Sequence, residues 1–119
     1  MKTKEINPFE RQNIFHNRMI EDYKNGIIPN SSVFEPYFNW KMGKCSHNKI
    51  TREMAYKMID EASTLLDGYY KKYPKAYENM DVYINEDPWQ QYKGFGQDKY
   101  IVSYLESIDG ELSNIISIL

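Results

Sequence analysis

Between Thr51 and Tyr73, apolar side chains recur every three or four residues without a break: Met54, Ala55, Met58, Ile59, Ala62, Leu65, Leu66, Tyr69 and Tyr73. That spacing follows the 3.6-residue period of an α-helix and places the set on one face. A strand would need strict alternation, so this stretch commits the chain to a helix that must bury one side. Thr51 is a suitable cap. The early acids Glu53, Asp60 and Glu61 and the late Lys71 and Lys72 match the two ends of the helix dipole. Gly68 costs about 1 kcal/mol relative to alanine, which the apolar stripe outweighs. Pro74 stops or kinks the helix.

Two more stretches carry the same period. At the N-terminal side, Asn7 is an expected N-cap and Pro8 suits the first helical position, where a missing N–H costs nothing. The helix is expected over 8–24. Phe9, Phe15, His16, Met19, Ile20 and Tyr23 fall on one side; Glu10, Arg11, Arg18 and Glu21 fall on the other, and Gly26 follows the end. At the C-terminal side, Ile101, Tyr104, Leu105, Ile108, Leu112, Ile115, Ile116 and Leu119 keep phase across Asp109-Gly110. One helix from about residue 97, with a weak point at Gly110, is the expectation.

The connections are harder to read. Ser32-Val33-Phe34-Glu35 has capping-box spacing, which predicts a short aromatic helix over 33–42 closed by Gly43. An irregular aromatic loop is the alternative. Residues 44–49 read as a polar link. A helical turn is expected around Ala76-Tyr77-Met80, then an extended Val82-Tyr83-Ile84, then a short helix opened by Asp87-Pro88-Trp89-Gln90 and ended by Gly94-Phe95-Gly96. Together these elements predict an all-α fold: a small antiparallel bundle of three long amphipathic helices with short connecting helices, in one domain spanning 1–119. A chain of 119 residues has room for one domain, and buries roughly two thirds of its unfolded surface without metal or disulfide staples.

Chemistry is narrowed mostly by exclusion. Cys45 is the single cysteine, so no internal disulfide is possible and a reducing compartment is expected. The first eight residues contain no apolar signal-peptide core, and no apolar run reaches the ~18–20 residues of a spanning helix. Cytoplasm is the expected location. Cys45 and His47 make one lone pair of metal-ligand types, and a structural zinc site needs two such pairs. Glu86-Asp87 before a Pro-Trp turn reads better as a cap and its neighbour than as a magnesium site. Cys45 with His47 two residues away is not a nucleophile–base arrangement. His16 on an apolar face reads as a structural histidine bonded to a carbonyl or phenol. Lys93-Gly94-Phe95-Gly96 follows no expected strand and is not a dinucleotide fingerprint. Neither an enzyme nor any cofactor or metal is expected.

Charge and rings point elsewhere. Residues 1–50 carry eight basic and five acidic side chains, whereas residues 81–119 set Lys93 and Lys99 against seven acids. An acidic C-terminal third repels a phosphate backbone and suits a basic protein surface. Eleven Tyr, five Phe and two Trp exceed what short helices need as filling, and Tyr70, Tyr77, Trp89 and Tyr92 lie off the main stripes. Exposed rings beside acids have the composition of a binding hot spot. Glu86, Asp87, Trp89, Tyr92 and Phe95 are the densest such group and the expected protein interface. The chain therefore reads as a non-enzymatic protein-binding module, with another protein of basic surface as partner. A second copy joined through the apolar C-terminus would also fit. Abundant Lys, Asn, Ile and Tyr point to an AT-rich genome, hence to a low-GC bacterium or its phage or plasmid, where an accessory or inhibitor protein fits. The alternative is a nucleic-acid-binding accessory using the mildly basic N-terminal half, including Arg11 and Arg18; the pI of about 5.7 weighs against it.

Overall fold

The computed structural model describes residues 8–29, 31–76, 89 and 92–119. Helix is the only regular secondary structure among them: α1 (Pro8–Lys24), α2 (Glu35–Lys41), α3 (Arg52–Lys72) and α4 (Asp98–Ile118), with 3-10 turns at His47–Lys49 and Pro74–Ala76. None of these helices is long and apolar enough to cross a membrane. The chain divides into two compact units, Met1–Lys49 and Ile50–Leu119.

In the first unit, α1 keeps the expected bounds, with Glu10 in its first turn and Lys24 in its last. Met19 is fully buried, while Phe15, His16, Ile20 and Tyr23 are half-buried. Phe9 departs from its expected apolar face in coverage, being 79% exposed. Angular position fixes the direction of a side chain, not whether anything covers it. The capping box expected at Ser32 is absent. Phe34 occupies the cap position of α2 with near-helical dihedrals (φ −90, ψ 4) and no side-chain cap bond. The backbone is already turning there, since the Phe34 N–H donates to the Ser31 carbonyl at 3.2 Å, so a hydroxyl is not needed to start the helix.

Both helices of this unit close in the same way. The Gly26 N–H donates to Tyr23 O and the Ile27 N–H to Asp22 O; the Gly43 N–H donates to Trp40 O and the Lys44 N–H to Asn39 O. These paired bonds form Schellman motifs, which need a left-handed residue, and Gly26 (φ 72) and Gly43 (φ 76) supply it. Tyr23 of α1 stacks on Phe38 of α2, with centroids 4.0 Å apart and planes 13° apart, and Tyr37 meets Trp40 edge-on at 5.8 Å. Phe34, Tyr37 and Phe38 are fully buried, so the N-terminal aromatic cluster is filling.

The second unit is an antiparallel pair. Thr51 is extended (φ −78, ψ 160), and its hydroxyl accepts the Met54 N–H at 3.1 Å, as its cap role requires. Arg52, at the start of α3, donates to the carbonyl oxygen of Leu119 past the end of α4 (2.8 Å). Lys72, at the far end of α3, reaches Asp98 at the start of α4 (3.1 Å). The buried residues of the pair are Ala55, Met58, Ala62 and Leu66 of α3 and Ile101, Val102, Tyr104, Leu105, Ile108, Leu112 and Ile115 of α4. Each buried Leu or Ile contributes roughly 1.5–3 kcal/mol relative to exposure. Gly110 does not interrupt α4. The α3 helix ends because Pro74 disfavours helical dihedrals at Tyr73, which takes φ −128 and ψ 59.

Candidate protein-binding surface

At the end of α3 the chain builds a knot of rings around Tyr73. Trp89 meets the Tyr73 ring at 5.0 Å and 69°, and Tyr92 meets it at 5.0 Å and 77°. Phe95 lies 6.4 Å from Trp89, and the Lys99 ammonium sits 5.3 Å from the Phe95 centroid. The Tyr92 hydroxyl accepts the Lys75 backbone N–H at 2.7 Å. The Tyr73 hydroxyl donates to Asp98 Oδ2 at 2.6 Å, and Lys72 donates to the same oxygen. That bond to Asp98 is the main cause that holds the Tyr73 phenol above the ordinary tyrosine range, with burial second. Edge-to-face rings at 5 Å are in van der Waals contact, so they fill one another's space rather than frame a pocket.

Only part of the expected interface lies among the described residues. Trp89 is only 8% exposed, packed inward on Tyr73 instead of being offered as an anchor. Tyr92 and Phe95 are half-buried. Glu86 and Asp87 lie outside the described residues, as do Asn7, Tyr77, Met80 and the expected extended segment at 82–84. The physical reason is local. Tyr73 ends the α3 stripe with its hydroxyl committed to Asp98, and Trp89 and Tyr92 both pack against its ring edge-to-face.

Among the described residues, a further place that combines a ring with acids lies along the α3–α4 pair. The Tyr70 hydroxyl donates to Glu106 Oε1 at a long 3.4 Å. Burial raises the Tyr70 phenol first; the charges of Glu106, Asp109 and Asp67 then add to it. Burial also pushes the Glu106 carboxyl above the usual carboxylate range, against a lowering by the Tyr70 bond. One turn back along α3 from Tyr70 stands exposed Asp67, and one turn on along α4 from Glu106 stands Asp109, which accepts Ser113 Oγ at 3.4 Å. From Tyr100 to Leu119 the sequence contains Glu106, Asp109 and Glu111 and no lysine or arginine. Tyr70 was recognisable in the sequence as a ring off the stripe. Its acidic neighbours were not, because they arrive from another helix in a register that only packing sets.

His16 lies 5.9 Å from the Phe15 ring, and His47 meets Trp40 at 6.2 Å. Cys45 is a half-buried free thiol. Among the described residues no group of three or more His, Cys, Asp or Glu side chains could hold a metal ion. No protein-family model, curated protein or solved structure matches the chain.

Proposed function

We propose that the chain is a non-enzymatic protein-binding module that docks on a basic surface of another protein through Asp67, Tyr70, Glu106 and Asp109. The observation that carries this reading is the half-buried Tyr70 bonded to exposed Glu106, with two further acids beside it. A cluster of carboxylates beside a phenol favours an incoming cation. A guanidinium suits the place best, because it is weakly hydrated, can pair with the carboxylate and can stack on the phenol. Tyrosine in such a setting is a common hot-spot residue. Trp89 serves this surface as scaffold, while Tyr92 and Phe95, with their half-exposed rings, can extend it. As architecture we propose the antiparallel bundle of three long helices in a single cytoplasmic domain over 1–119. As setting we propose an accessory or inhibitor protein of a phage or plasmid, supported by composition alone.

The test is affinity capture from a low-GC bacterial lysate, read by mass spectrometry, with wild type beside Glu106→Lys/Asp109→Lys and Tyr70→Ala. A basic protein held by wild type and lost by the charge reversal supports the reading; an affinity loss of tenfold corresponds to about 1.4 kcal/mol. Unchanged capture removes this surface from the interface. Binding of labelled DNA or RNA with a steep salt slope would replace the proposal with the nucleic-acid alternative.

A further inference from the structure

No further inference is drawn: the strongest candidate, the exposed apolar side chains of Tyr56, Ile118 and Leu119 at the end of the α3–α4 pair, has nothing in the structure to show what covers it.

Discussion

Gly68→Ala is expected to stabilise the protein, and the size of the effect follows from the structure. Gly68 lies in the interior of α3, is exposed, and is not among the glycines with positive φ. A Cβ built there meets nothing within 4 Å. No contact therefore opposes the helix-propensity gain, which is about 1 kcal/mol for alanine over glycine in a helix interior. Urea unfolding should move to a higher midpoint by that amount, with the m-value unchanged. The thermal shift then reports the size of the cooperative unit. At about 2.1 cal/mol/K per residue of unfolding entropy, 1 kcal/mol raises Tm by about 4 °C if all 119 residues melt together. If Ile50–Leu119 melts alone, the same gain raises Tm by about 7 °C. Gly43→Ala is the internal control. Its Cβ is equally unobstructed, but φ is 76, so a loss of about 1–2 kcal/mol is expected. A Gly68→Ala protein no more stable than wild type would refute a continuous, exposed α3 at this position.

Three further outcomes are expected. With Trp40→Phe removing the other indole, Trp89 should emit at short wavelength and resist acrylamide, and Trp89→Ala should cost about 3–5 kcal/mol; red-shifted, freely quenched emission would contradict the ring knot. Because the folded-state pKa of Glu106 is raised, its contribution to stability is complete below the ordinary value of 4.5 and is lost as pH rises through the raised one. Glu106→Gln should flatten that part of a stability-versus-pH curve, and an unchanged slope would mean the carboxyl is not desolvated. Tyr23, Tyr69, Tyr70 and Tyr73 are all raised above 10.0, so stability tied to their neutral phenols holds below that pH and falls as pH climbs through the raised values. Tyrosinate absorbance should show a fraction of the eleven phenols ionising above pH 10.0, and complete ionisation in one step near pH 10 would contradict it.

Helix position in this chain is a local property, and the local signals sufficed for it. The stripe from Met54 to Tyr73, the Thr51 cap and Pro74 delimit α3; the continuous phase through Gly110 keeps α4 whole; Gly26 and Gly43 close α1 and α2. Each of these acts through backbone dihedrals or neighbours within one turn, so residue order is enough to reveal it. Coverage is a different matter. Phe9, on the expected apolar face, is 79% exposed, whereas Trp89, off the main stripes, is packed on Tyr73. The proposed binding surface shows the same limit. Tyr70 and Asp67 share a helix, but Glu106 and Asp109 join them only through the register in which α4 packs against α3. That register is set by how large and small side chains interlock across the buried stripes, a property of two helices together that neither stretch of sequence contains.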